Sequence, residues 1–273
     1  MKAIILDESG FWRDVTDILS VVSPIIKVLR STDNTDSQIL GKIYKRMFDI
    51  GESLSASTIS WAPQAAAVHA ARWEYLHGVM HAAAYALDPE YIWVQGDWDE
   101  ATQEGFVIVV ERLSLWLEIR SSSDVQKAMT ELTTSSPSVV SRISRAMQQY
   151  SRVRAQEGAL SKPYVIQGAR EMAPSMWWST YCVHLPDIKQ IAVAVLQQPA
   201  AAGAAERNWS VYGSIKSDRR ARMKHAVADK RVFCHETLHY MDKLQNPLHE
   251  QAVVAWSDDE SSEDEGGVEN MLM

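Results

Sequence analysis

Apolar side chains recur every three or four residues along most of the chain, which is the period of one face of an α-helix. The first such stretch predicts a helix, and Pro24 inside it predicts a kink. Its apolar face consists of Phe11, Val15, Ile18, Val22, Ile25 and Leu29. A second amphipathic helix is predicted from about Ser37, with inward side chains at Leu40, Ile43, Tyr44, Met47 and Phe48.

The same period predicts helices as far as residue 197. The third is predicted from Gln64 to Leu87, ending at Asp88-Pro89, because the residue before proline is disfavoured in the α region. Four more are predicted at Glu100 to Ile119, Asp124 to Thr133, Val139 to Ala155 and Asp187 to Gln197. Little of the chain has the alternation of a strand, so the predicted fold class is mainly α. The one tempting exception is Met1 to Asp7, an apolar segment ending in aspartate.

Composition narrows the class of protein. The 273 residues are enough to bury a sizeable core, and 46% of them are hydrophobic. There is no apolar run of about 18 residues and no N-terminal signal pattern, so we expect a soluble intracellular chain with no membrane partner. Cys182 and Cys234 are therefore expected to be reduced thiols.

Charge is unevenly distributed along the chain. The net charge of -8 argues against a nucleic-acid partner, because DNA binding depends largely on Lys and Arg. However, six acidic residues lie together at 257–265, in a tail predicted to be disordered after about Ala255. Upstream of this tail lies a basic segment, whose members are Lys216, Arg219, Arg220, Arg222, Lys224, Lys230 and Arg231. It predicts either a solvated helix face or non-specific contact with DNA phosphates.

The order of motifs between Leu185 and Phe233 resembles the C-terminal dimerisation region of hAT-superfamily transposases. An apolar helix and an alanine-rich break precede the segment 206–210, Glu-Arg-Asn-Trp-Ser, which is similar to the family's ERxWS core. The segment 219–223, Arg-Arg-Ala-Arg-Met, resembles the R-x-R-L-type segment that follows it. The Trp177-Trp178 pair matches the WW that precedes the family's dimerisation helix.

Two upstream blocks extend the resemblance to the helical insertion of plant-type hAT proteins. Phe11-Trp12, with 24–30 and Asp33, is similar to the FW and VLR motifs that open this insertion. Residues 72–89 resemble its RW, LHAA and LNP block, with aspartate at position 88 where asparagine is usual.

The resemblance implies the C-terminal helical portion of a ribonuclease-H-like hAT transposase, with the catalytic β-sheet core largely absent. The expected division is a helical insertion-like region at 1–160, a dimerisation region at 161–250 and an acidic disordered tail at 251–273.

The resemblance also implies a dimer interface on the apolar helix and the aromatic residues near it, since Trp and Tyr supply much of the binding energy at interfaces. The candidate residues are Trp177, Trp178, Leu185, Ile188, Ile191, Val195, Leu196, Trp209 and Tyr212. An apolar helical stripe is more often an intramolecular core, so some of these residues could support the interface from behind. The expected partner is a second copy or a related hAT protein.

Glu206 matches the third acid of the family's catalytic triad, which holds two metal ions. No matching aspartates are found, because Asp7 is expected to belong to the approach to the first helix. One carboxylate does not hold two metals, so Glu206 is predicted to be vestigial, either favoured by the helix macrodipole at a helix N-terminus or paired with Arg207 or Arg222. His235 and His239 fit no closed zinc pattern. We therefore predict no metal and no cofactor, with Mg or Mn needed only by an intact triad.

Three functions remain open. The favoured one is a transposase-derived, non-catalytic nuclear protein that dimerises through its C-terminal region, with non-specific DNA contact through Arg219, Arg220, Arg222 and Lys224. The second is a C-terminal fragment of an active DDE-type transposase that contributes Glu206 to a metal-dependent site. The third is an unrelated helical scaffold whose acidic tail recruits basic partners.

Overall fold

The structure, a computed structural model, describes residues 10–32, 38–94, 98–200, 203–216 and 223–245. No strand occurs among these residues, and the mainly α class is confirmed. The first six helices are α1 (Phe11–Thr32), α2 (Leu40–Ala56), α3 (Ala62–Leu76), α4 (Val79–Leu87), α5 (Glu100–Ser121) and α6 (Val125–Glu131). A 3₁₀ turn (Gly158–Ser161) lies among the remaining six, which are α7 (Pro137–Arg154), α8 (Pro163–Glu171), α9 (Pro174–Tyr181), α10 (Pro186–Leu196), α11 (Gly203–Ile215) and α12 (His225–Gln245). None of the described helices is both long enough and apolar enough to span a membrane.

Local signals account for most helix starts. Asp99 and Asp124 cap α5 and α6, where their carboxylates accept the backbone N–H groups of Thr102 and Lys127 at 2.7 and 3.0 Å. A proline at the first position loses no hydrogen bond, because its missing N–H would have no partner inside the helix. Four successive helices begin in this way, at Pro137, Pro163, Pro174 and Pro186.

The predicted helix from Gln64 to Leu87 is wrong as a single element, because the chain leaves the helix at His77 and Gly78. Gly78 has extended backbone (φ -153, ψ 175), and its carbonyl accepts the first hydrogen bond of α4 from the N–H of His81 at 2.9 Å. Glycine makes such a break inexpensive, since it is a poor helix former. The break allows α4 to change direction and pack against α2 and α5.

Helix α4 packs against its neighbours almost backbone to backbone. A Cβ atom added to Gly41 of α2 would lie 2.6 Å from the carbonyl oxygen of Ala84, and one added to Gly105 of α5 would lie 2.7 Å from the Cβ of Ala82. Alanines 82, 83 and 84 are almost fully buried at these contacts. Larger side chains at these positions would separate the three helices.

One large core joins α2, α4, α5 and α7–α10. Its hydrogen bonds connect distant parts of the chain: the Tyr150 hydroxyl donates to the Ala86 carbonyl at 2.6 Å, and the Trp93 Nε1–H donates to the Val153 carbonyl at 2.9 Å. Buried side chains from Leu40 to Leu196 belong to the same cluster. The division expected at residue 160 therefore does not coincide with a division of the core.

A smaller core lies between α1, α2 and α3. It contains the buried side chains Val21, Val28, Ile39, Ile43, Ile50 and Leu54. The predicted inward positions of α2 hold for Leu40, Ile43 and Tyr44, but Phe48 is 50% exposed. On α1 the buried face is rotated from the predicted one, because Val21 and Val28 point to α2 while Ile18 remains exposed.

Candidate functional site

Seven of the nine predicted interface residues are buried within a single chain. Their exposed fractions are 0–1%, and they are Trp177, Trp178, Leu185, Ile188, Ile191, Val195 and Leu196. The two indole N–H groups donate to the carbonyls of Val165 and Leu87, at 2.9 and 2.8 Å. Side chains without accessible surface cannot touch a second subunit in this fold. The prediction that these seven residues contact a second subunit directly is therefore corrected. They are core residues that hold α9 and α10 in place within one chain.

A network of charged and amide side chains holds the N-terminus of α10. The Asp187 carboxylate, in a residue only 7% exposed, accepts hydrogen bonds from Arg142, Arg145 and Gln149 at 3.0–3.2 Å. In return the Gln149 Oε1 atom accepts the backbone N–H groups of Asp187 and Ile188, at 3.0 and 3.1 Å. This exchange supplies the acceptors that the first turn of α10 needs and fixes it against α7.

Arg142 extends this network to a third helix. Its Nε–H donates to the Glu118 carboxylate of α5 at 2.8 Å while its Nη1–H donates to Asp187. The charges are largely buried, so each needs its partner. Sequence reasoning missed this network because its members come from three helices and form no motif.

Helices α11 and α12 form a hairpin in which each helix packs chiefly against the other. The Tyr212 hydroxyl lies 2.6 Å from the Nδ1 atom of His225, and the Lys216 ammonium lies 2.7 Å from the Nε2 atom of the same ring. The Tyr212 ring also stacks on His225 and meets Trp209 edge to face, with centroids 6.4 and 5.9 Å apart. These contacts fix the end of α11 to the start of α12.

The hairpin presents large apolar side chains to solvent. Trp209 on α11 is 71% exposed, and the α12 side chains Phe233, Leu238 and Met241 are 72%, 64% and 51% exposed. Cys182 and Cys234 are both free thiols, and only the second, on α12, is exposed. Exposed apolar groups of this size are typical of interaction surfaces. We call Trp209, Phe233, Leu238 and Met241 the hairpin surface.

Sequence reasoning found only part of the hairpin surface. It selected Trp209 and the half-buried Tyr212 but no residue of α12. The available signal was the spacing of Val227, Cys234, Leu238 and Met241, which places them on one helical face.

Two of the predicted catalytic and DNA-binding residues, Glu206 and Lys224, lie within the described part of the chain. Glu206 is exposed in the first turn of α11, where a negative charge interacts favourably with the helix dipole. Within the described residues, no group of three or more His, Cys, Asp or Glu side chains is placed to hold a metal ion. Lys224 is exposed just before α12. Asp7, the acidic tail, and Arg219, Arg220 and Arg222 lie outside the described residues.

Comparison with known proteins identifies the region that contains this hairpin. No curated protein matches the chain. A family model described as the hAT family C-terminal dimerisation region matches residues 147–238, from within α7 to within α12. The match includes the Gln149–Asp187 contact, the buried α10 and most of the hairpin. Residues 147–238 are therefore similar to the hAT family C-terminal dimerisation region.

Proposed function

We propose that this chain is a transposase-derived, non-catalytic protein that associates with a second copy of itself, or with related hAT proteins, through the hairpin surface. The proposal rests on one observation: large apolar side chains are exposed on α11 and α12 inside a dimerisation region. We include nuclear localisation in the proposal, because DNA-associated partners would be found there.

The energetics of the hairpin surface favour association. Burying a large apolar side chain contributes about 1.5–3 kcal/mol, and Trp209 and Phe233 are each more than 70% exposed. Aromatic residues of this kind commonly dominate the binding energy of an interface. The buried α10 and its Asp187 network belong to the same matched region.

Self-association is the first expected result. At low micromolar concentration, light scattering is expected to give about twice the chain mass of 30.7 kDa. Trp209→Ala is expected to weaken the dimer by roughly 2–4 kcal/mol, a rise in Kd of about 30-fold to 1,000-fold. The stability of the monomer should change little, because the side chain is 71% exposed.

Tyr75→Ala provides a matched control. Tyr75 is an aromatic residue on α3, 80% exposed and outside the dimerisation region, so its removal should leave the dimer intact. A monomeric wild-type chain, or equal effects of the two substitutions, would contradict the proposal.

The proposal includes weak DNA contact through the basic segment, without cleavage. With supercoiled plasmid and Mg²⁺ or Mn²⁺, we expect no nicking, because Glu206 alone cannot hold two metal ions.

DNA binding by the chain should be measurable at low salt and should weaken as the salt concentration rises. Each phosphate contact contributes about -0.9 to the slope of log affinity against log salt concentration. Replacing Arg219, Arg220 and Arg222 with alanine should flatten this slope. Deleting the residues after Ala255 should tighten binding, because it removes seven acidic residues.

A control for the loss of charge is the triple alanine variant of Arg13, Arg112 and Arg170, which are exposed arginines elsewhere on the chain. It changes the net charge by the same amount as the variant of the basic segment, and it should leave the salt slope of DNA binding unchanged. Equal effects of the two triple variants would eliminate a specific role for the basic segment. Nicking that disappears in Glu206→Gln would instead favour the active DDE-type fragment.

A further inference from the structure

Helix α1 has an exposed apolar face that the dimerisation region does not explain. Six of its large side chains are 40–59% exposed, and these are Phe11, Trp12, Ile18, Leu19, Ile26 and Leu29. Val21 and Val28 occupy a different face, where they are buried against α2. The helix is therefore apolar on two adjacent faces, and only one of them is packed in the smaller core.

The exposed face has most of the spacing of a coiled-coil seam. Phe11, Val15, Ile18, Val22 and Leu29 follow each other at intervals of four, three, four and seven residues and occupy a and d positions of heptads. The d position between the last two is Ile25, which packs in the smaller core. Leu19 and Ile26 each lie one position further along and widen the face. We call the seven residues other than Ile25 the α1 seam.

The α1 seam is long and carries no charge. From Phe11 to Leu29 it covers roughly 27 Å at 1.5 Å per residue. The charged residues of α1 all occupy other heptad positions, and they are Arg13, Asp14, Asp17, Lys27 and Arg30. A seam of this kind fits the side chains of another helix, which insert between its own.

We propose that two copies of the chain pair through their α1 seams. Each seam offers the knobs and holes that the other needs, so a two-fold pairing covers both at once. About half of each large side chain of the seam is exposed, so the apolar area that a partner could cover is roughly 500–600 Å² per copy. The pair would bury about 1,100 Å², just above the roughly 1,000 Å² that a specific interface requires.

This interface is independent of the hairpin surface, because it uses a different helix at the other end of the chain. A chain with two separate two-fold surfaces assembles beyond a dimer, either into a closed tetramer or into a longer array. The α1 interface only just exceeds the roughly 1,000 Å² that a specific interface requires, so we expect it to form at higher concentration than the hairpin dimer.

The test compares the mass of four full-length proteins by light scattering from low micromolar to hundredfold higher concentration. They are the wild type, Ile18→Glu/Leu19→Glu, Trp209→Ala, and the combination. The wild type is expected to reach four chains or more at high concentration. The glutamate variant should stop at two chains, because it places two charges in the seam, and the combined variant should remain a monomer over most of the range.

Ser20→Glu is the matched control, because it adds a charge to an exposed position on the opposite side of α1 and should assemble like the wild type. Circular dichroism establishes that each variant keeps its helices. The proposal is overturned if the wild type stops at two chains, or if the glutamate variant still exceeds two. It is also overturned if that variant loses thermal stability without any change in mass, since the chain itself would then cover the seam. If only the Trp209→Ala variant fails to weaken assembly, the result contradicts the hairpin surface and not the α1 seam.

Discussion

Replacing Trp178 with alanine is expected to lower the free energy of unfolding by about 3–5 kcal/mol. Trp178 lies on α9, and its side chain is fully buried. Its indole N–H donates to the carbonyl of Leu87, at the end of α4, at 2.8 Å. The substitution leaves a large cavity beside the Trp177 ring, whose centroid lies 5.6 Å away, and removes the donor to Leu87. Urea unfolding followed by circular dichroism measures the loss.

Two further variants separate the causes of this loss. Trp178→Phe keeps most of the volume but leaves the Leu87 carbonyl without its indole donor, so about 1–3 kcal/mol should be lost to the unpaired group. Met176→Ala removes a side chain of the same helix that is 51% exposed and should stay within about 0.5 kcal/mol of the wild type. If Trp178→Ala costs no more than Met176→Ala, Trp178 does not hold α9 to α4.

Most of the helices could be predicted because their signals are local. The Asp99 and Asp124 caps act within one turn, and the predicted starts of α5–α7 and α10 agree with the structure to within two residues. Helices α8 and α9, which begin at Pro163 and Pro174, were not predicted. The break at Gly78 was missed, because apolar periodicity continues through it while only the tertiary packing of α4 against α2 and α5 requires it. A glycine inside a helical pattern is compatible with either outcome.

The candidate site could be predicted as a region but less well as individual side chains. Motif resemblance places dimerisation in the right part of the chain, as the family match confirms. It does not distinguish the buried Ile188 from the exposed Trp209, because both are apolar residues on helices. That distinction depends on how α10 packs against α7 and α5, and the Arg142–Asp187 contact that orients α10 joins residues 45 positions apart.

Acidification from pH 7 towards pH 4 is expected to raise the contribution of Asp88 to stability. The side chain is fully buried after α4, where Oδ1 accepts the Glu90 N–H at 3.0 Å and Oδ2 lies 3.7 Å from the Lys42 ammonium. Burial raises the pKa of Asp88 from 3.8 to about 6, and Lys42 offsets only part of this effect. Since the pKa is higher in the folded state, the stabilising contribution is complete below about pH 4 and is lost as the pH rises through 6. A difference of roughly two pKa units corresponds to about 3 kcal/mol.

Asp88→Asn should therefore be more stable than the wild type at pH 7.5, by about 1–3 kcal/mol, and this difference should be much smaller at pH 4.5. The amide keeps the acceptor for the Glu90 N–H without a buried charge, and asparagine is the usual residue in the family block that this segment resembles. Asp88→Ala is the control, since it removes both the charge and the acceptor and should stabilise less.

Burial lowers the pKa of His81 and gives an opposite trend, with stability falling as the pH decreases through the histidine's unfolded pKa of 6.5. This trend is common to all three proteins, so the difference between wild type and Asp88→Asn isolates Asp88. Urea unfolding at several pH values measures that difference, and a constant value from pH 4.5 to 7.5 would show that Asp88 does not titrate in this range.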